Sequence, residues 1–214
     1  MQRLRIKFSR GEEIKFISHL DIIRLWQRAF NRAGIQIAYS TGFSPHPRIS
    51  LAAPLQLGVT SEAELMDIVI VKGVAPHFFV SAMNQQLPPG MTADKVHPIG
   101  ADLPSLQSQI SHTVYKVTLE TAQGPQDIYK AVADMLALET LPWQHQRDTG
   151  PHQYDLRKLI DYIQVVEWNS PLGILEMRLR CDSNGSGRPE QVAAALGFKT
   201  RPLSIHRTQL ILKT

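Results

Sequence analysis

"RLRIKFSRGEEIKFISHLDIIRLWQRAFNRAGI", residues 3–35, decides the reading of the fold because two hydrophobic periods meet in it. Over 3–10, Leu4, Ile6 and Phe8 alternate with Arg3, Arg5 and Lys7, the period of a half-buried strand with a basic outer face. From Ser18 the period changes to that of a helix, with Ile22, Ile23, Trp26, Phe30 and Ala33 on one side. Ser18 and Asp21 form a capping-box-like start, with aspartate where glutamate is preferred, and Gly34 is a natural stop. A second stripe runs along this helix. Arg24, Arg28 and Arg32 stand four residues apart, with no acid interleaved at four-residue spacing, and so share a face other than the apolar one.

Working outward, "ISLAAPLQL" (49–57) and "ELMDIVIVKGV" (64–74) read as strands, the second strongly β-branched. Pro76 opens a helix that Pro88-Pro89-Gly90 closes, and "MTADKVHPIG" (91–100) supplies a further strand. The order is β-α-β-β-α-β. It then recurs: strand 113–120, helix 124–136, strands 161–168 and 174–181, a helix from Pro189 to Gly197, and strand 204–212. The expected fold is therefore α+β, with two tandem ferredoxin-like units built on antiparallel sheets. The expected boundaries are 1–100, a linker at 101–111, and 112–214. Residues 141–159 fit this parse least well.

The balance of 43% hydrophobic and 20% charged residues is that of an ordinary globular chain. There is no run of 18 apolar residues and no apolar leader, which argues against a membrane span or classical secretion. One cysteine, Cys181, excludes an internal disulfide and a four-cysteine metal site, and a cytoplasmic protein is expected. The net charge of +4 is concentrated: residues 1–50 hold nine Lys/Arg against three acids, leaving −2 for the remainder. Positive charge gathered in one quarter of the chain points to an anionic partner.

Templates for catalysis are mostly missing: no H-E-x-x-H, G-x-S-x-G, Walker loop or G-x-G-x-x-G occurs. His145 and His152 flank Asp148 without the spacing of a metal site, and neither metal nor cofactor is expected. "CDSNGSGRPEQV" (181–192) is a glycine-rich turn before a helix, either a phosphate cradle or an ordinary flexible turn. The distinctive segment is "YSTGFSPHPRIS", 39–50. Pro45 and Pro47 fix φ and push Ser44 and His46 out of helical angles, so the loop is stiff and presents Tyr39, Phe43, His46 and Arg48. Aromatic rings stack on bases, arginine forks grip phosphate, and histidine bonds or exchanges protons near neutral pH.

The run "FISHLDIIRLWQRAFNRAGIQIAYSTGFSPHPRISLAAPLQLGVTSEAELMDI" (16–68) resembles the N-terminal signature of the radical-SAM-linked protein family. That family is a bacterial domain found beside or fused to B12-binding radical SAM proteins. "YDLRKLI" (154–160) and "GSGRPEQVAAALG" (185–197) extend the likeness. The resemblance implies partnership with a radical SAM enzyme in modification of RNA or the translation apparatus, and brings no catalytic residues with it. With no CxxxCxxC, the chain would be the companion of the radical enzyme. The expected function is a non-catalytic RNA-binding or substrate-presenting partner, using Arg24, Arg28 and Arg32 for phosphates and Tyr39, Phe43, His46 and Arg48 for bases or a protein surface. Two alternatives stand beside it. One is a metal-independent RNA endonuclease with His46 or His19 as acid/base, by fold-level analogy with tandem ferredoxin-like CRISPR endonucleases. The other is a pure protein-interaction adaptor.

Overall fold

A computed structural model describes residues 1–122, 124–147 and 150–213. The chain is mixed α+β with antiparallel strand pairing, and its backbone divides into two compact units, 1–110 and 111–214.

In the first unit the alternating stretch becomes β1 (Gln2–Arg10), which pairs antiparallel with both β3 (Thr60–Ile70) and β4 (Met91–Ile99). The short β2 (Ile49–Leu51) pairs antiparallel with β3, so the strands run in the order β4-β1-β3-β2. The strand expected over 49–57 is therefore only three residues long. Past Leu51 the chain turns away through Pro54 and Gly58, which sits at φ +83 and bonds through its amide to the Lys15 carbonyl.

Helix α1 (His19–Arg32) starts as the capping box requires. The Asp21 amide donates to Ser18 Oγ at 3.2 Å, the Ser18 hydroxyl donates to the Asp21 carboxylate at 2.7 Å, and Gly34 takes φ +68 past the last turn. Proline opens α2 (Pro76–Asn84) at its first position. Both helices pack onto the Leu4/Ile6/Phe8 face of β1. Phe8, Trp26, Phe30 and Phe79 form a chain of ring contacts with centroids 5.2, 5.4 and 6.1 Å apart, all fully buried.

The opposite face of β1 is not the basic outer surface that alternation suggests. Arg5 is only 6% exposed, and its Nε and Nη2 grip both oxygens of Asp67, its register partner on β3, at 2.7 and 3.0 Å. Arg3 adds a bond to the same carboxylate at 2.9 Å and donates to the carbonyls of Leu103 and Pro104. A one-turn helix, α3 (Leu106–Gln109), carries buried Leu106 and lets the Gln109 side chain accept from Arg5. Residues 101–110 thus lie over this face and are fastened to it by arginine. Alternation cannot signal this, because period two says which side a residue faces and not what covers that side. Arg10 is also buried and donates to the carbonyls of Ile14 and Ile17, bracing the 3-10 turn (Glu12–Ile14) that leads into α1.

The second unit holds β5 (Ile110–Glu120), α4 (Pro125–Ala137), β8 (Ile160–Asn169), β9 (Leu172–Asp182), α5 (Pro189–Ala195) and β11 (Ser204–Leu212). β9 pairs antiparallel with β5 and β8, and β11 lies on the other side of β5. Ile128, Val132 and Met135 form the buried face of α4, at the spacing the sequence predicts. Between α4 and β8, in the segment that fits the expected parse least well, the chain folds an extra hairpin, β6 (Pro142–Arg147) and β7 (Gly150–Asp155). A two-residue strand, β10 (Gly185–Ser186), folds back and pairs antiparallel with the end of β9.

Candidate nucleic-acid interface

Residues four apart on a helix lie one above another, about 6 Å along the axis. Arg24, Arg28 and Arg32 therefore form a line on the exposed side of α1, away from Trp26 and Phe30. All three line a single cleft of about 740 Å³, whose walls also include Phe16, Gln86 and Pro88.

The three guanidinium groups are held differently. Arg24 donates to Asp21 Oδ1 at 2.9 Å, an i,i+3 pair that a search at four-residue spacing overlooks. The Ser18 hydroxyl, and then Arg24 itself, hold the Asp21 carboxyl below its ordinary range, so the anchor for Arg24 stays ionised near neutral pH. Arg32 reaches across to α2's end, donating to the Gln86 carbonyl at 2.6 Å and to its side-chain oxygen at 3.2 Å. Arg28, between them, makes no hydrogen bond or ion pair among the described residues. The cleft thus carries three cations against one carboxylate, with the outer two arginines braced and the middle one open. Arginine's planar fork binds phosphate bidentately, and bracing reduces the side-chain entropy lost when it does so.

Phe16 was not singled out by sequence reasoning. It is 72% exposed at the edge of this cleft, with Lys15 Nζ 5.3 Å from its ring centre. Its one signal was an aromatic residue just before a helix cap, where burial is not required. An exposed ring beside a cationic groove is a stacking platform for a base.

The proline loop forms a separate feature. The Ser40 amide donates to the His46 carbonyl and the Arg48 amide to the Ala38 carbonyl, both at 2.8 Å, while the His46 amide is taken by Ser40 Oγ. Tyr39 and Pro47 face one another across this narrow neck, and Gly42 at φ +130 turns the tip. Phe43 stands fully exposed at the end, and Tyr39, His46 and Arg48 are exposed along the sides. None of these four lines the arginine cleft. His19 is the first residue of α1 and half-buried; among the described residues neither its imidazole nor that of His46 makes a hydrogen bond. Neither histidine lines the arginine cleft.

No group of three or more His, Cys, Asp or Glu side chains suited to a metal ion occurs among the described residues, and Asp148 lies outside them. Among the described residues no helix is long and apolar enough to cross a membrane.

The model of the bacterial family described as "Uncharacterized protein conserved in bacteria (DUF2344)" matches residues 3–189, most of the first unit and the larger part of the second. The chain belongs to that family. No curated protein matches it. Among solved structures, it is similar to a chain of a Cbf5-Nop10-Gar1 complex, with a TM-score of 0.56 and 9% identity over 97% of this chain and 48% of the other. It is also similar to a chain of an H/ACA RNP bound to a substrate RNA containing 2'-deoxyuridine, with a TM-score of 0.50 and 9% identity over 97% and 47%. The chain spans about half the length of either. At this identity the likeness is one of fold.

Proposed function

We propose that this protein is a non-catalytic RNA-binding or substrate-presenting module, in which the α1 face holds backbone phosphates. The observation that carries this reading is the convergence of Arg24, Arg28 and Arg32 on one open cleft beside an exposed Phe16. Tyr39, Phe43, His46 and Arg48 form a second, stiff contact element for bases or for a partner's surface. RNA is the first polyanion to try, because one fold relative is a chain of an H/ACA RNP described as bound to a substrate RNA. In each unit the strand order, with a helix after the first strand and another before the last, supports a ferredoxin-like reading, so the chain is proposed as two such units, 1–100 and 112–214. The radical SAM enzyme as partner, in RNA or translation-apparatus modification in the cytoplasm, comes from the resemblance of residues 16–68.

The test is affinity for single-stranded RNA across a salt series, with wild type and R24Q/R28Q/R32Q. Each lost phosphate contact flattens the log–log slope by roughly 0.7, so the triple variant is expected to lose about 2 from the slope while keeping its thermal stability. An unchanged slope refutes the role of the helix face.

A further inference from the structure

The second unit carries a cationic cleft of its own. The unexpected β6–β7 hairpin sets His145 and His152 directly opposite each other as register partners. Side chains so paired stand within about 4.5–5.5 Å at Cβ. The His152 ring stacks on Tyr154, centroids 5.5 Å apart and planes at 29°, and the Tyr154 hydroxyl donates to the buried Gln191 side chain on α5. Arg188 brings Nη1 to 3.4 Å from His145 Nε2. With Lys158 and Arg180, these residues line a cleft of about 370 Å³.

The glycine-rich turn acts here through close approach. A Cβ on Gly187 would stand 2.9 Å from the Leu179 Cβ and 3.0 Å from the Leu159 carbonyl oxygen, and one on Gly185 would meet the Leu159 side chain at 2.9 Å. Glycine at both positions lets the turn sit down on Leu159, which carries Arg188 up to the hairpin. The one acid in the cleft, Asp155, is already engaged. Its carboxylate accepts from the amides of Leu141 and Arg157 at 2.8 and 3.0 Å and lies 3.7 Å from Lys158. Arg180 keeps nearly half its side chain exposed, 3.6 Å from Asp182.

We propose that this cleft, lined by His145, His152, Tyr154, Lys158, Arg180 and Arg188, is a binding site for the phosphoryl group of a nucleotide, with the stacked His152–Tyr154 pair beside the base. Lys158, Arg180 and Arg188 outnumber Asp155 in the cleft and Asp182 beside Arg180, which leaves net positive charge for an anion, and guanidinium forks match phosphate oxygens. The volume is at the lower end of the range for small-molecule sites, which suits one nucleotide and no longer segment. The same chemistry is presented by a free nucleotide and by a phosphorylated RNA terminus.

The experiment uses the full chain carrying R24Q/R28Q/R32Q, so that the helix face of the first unit does not contribute. Calorimetric titration with AMP and with adenosine is expected to show saturable binding of AMP and about tenfold or greater weakening without the phosphate. R188Q and R180Q are each expected to weaken AMP at least about tenfold and to leave adenosine unchanged. If R188Q is less folded than its parent, R180Q, whose side chain is half-exposed, decides alone. A hexaribonucleotide with and without a 5′-phosphate identifies the source. Phosphate preference on the oligomer assigns an RNA end, and binding of AMP alone assigns a free nucleotide. The proposal is overturned if neither AMP nor the 5′-phosphate is preferred over its phosphate-free form, or if both preferences survive R180Q.

Discussion

β1 and α1 both present a row of arginines, and the two rows do opposite things. On β1, Arg3 and Arg5 close on Asp67, itself only 4% exposed, beneath residues 101–110. On α1, Arg24 and Arg32 are braced at their edges but keep their forks at an open cleft, and Arg28 is unpaired among the described residues. A buried guanidinium must be paired, since removing its counter-ion strands a charge in low dielectric. An exposed one costs little to leave open and is free for a ligand. Of the charge excess in the first fifty residues, the strand's share is buried and paired, and on the proposed reading the helix's share serves binding.

That contrast is broken most directly at Asp67. Asp67→Ala removes the shared carboxylate of two arginines and is expected to cost about 3–5 kcal/mol in urea denaturation, with RNA affinity unchanged where the protein remains folded. The triple substitution on α1 is expected to do the reverse, with flatter salt dependence and no loss of stability. If both sets of changes moved stability and binding together, the two rows would be one system and the distinction would fail.

Smaller effects sharpen it. Ser18→Ala removes the α1 cap and the hydrogen bond that orients Asp21, and should lower stability by about 1 kcal/mol in the same denaturation series. In the proline loop, His46→Ala should weaken RNA or partner binding by about 1 kcal/mol and His46→Gln by much less, read by titration. If RNA cleavage were detected and both substitutions slowed it about 100-fold, the acid/base reading of His46 would replace the binding one. The smallest effect is in pH. Asp21 has its carboxyl pKa lowered from 3.8 by Ser18 and Arg24, so its contribution to stability is present above about pH 4 and fades as pH falls through the lowered value. An Asp21→Asn variant should therefore be less stable than wild type above about pH 4, with the difference fading as pH falls below it, and a profile identical to wild type would remove Asp21 as the anchor of Arg24.

Much of the backbone plan was legible because long elements with one apolar face announce themselves. The helix at 19–32, its cap and its glycine stop came from local chemistry, as did the buried triad Ile128, Val132 and Met135 on α4. The arginine stripe followed from the same geometry. Residues 142–155 were not legible. The hairpin's "PWQHQR" and "GPHQYD" are short, polar strands with no alternating apolar face, and their pairing is made by backbone hydrogen bonds that any sequence can supply. Phe16 went unread because an exposed aromatic leaves no periodic trace.

By itself the sequence determined where the helices and long strands lie, and that three arginines share one face of α1, because both follow from local periodicity and capping. Only tertiary structure decided which cations are spent and which remain open. Arg5 and Arg28 are the same residue type in equally regular positions, and their fates differ because Asp67 and residues 101–110 meet Arg5 from far along the chain while no described side chain hydrogen-bonds or ion-pairs with Arg28. Charge pairing depends on what distant segments bring within 3 Å, and periodicity has no information about that distance.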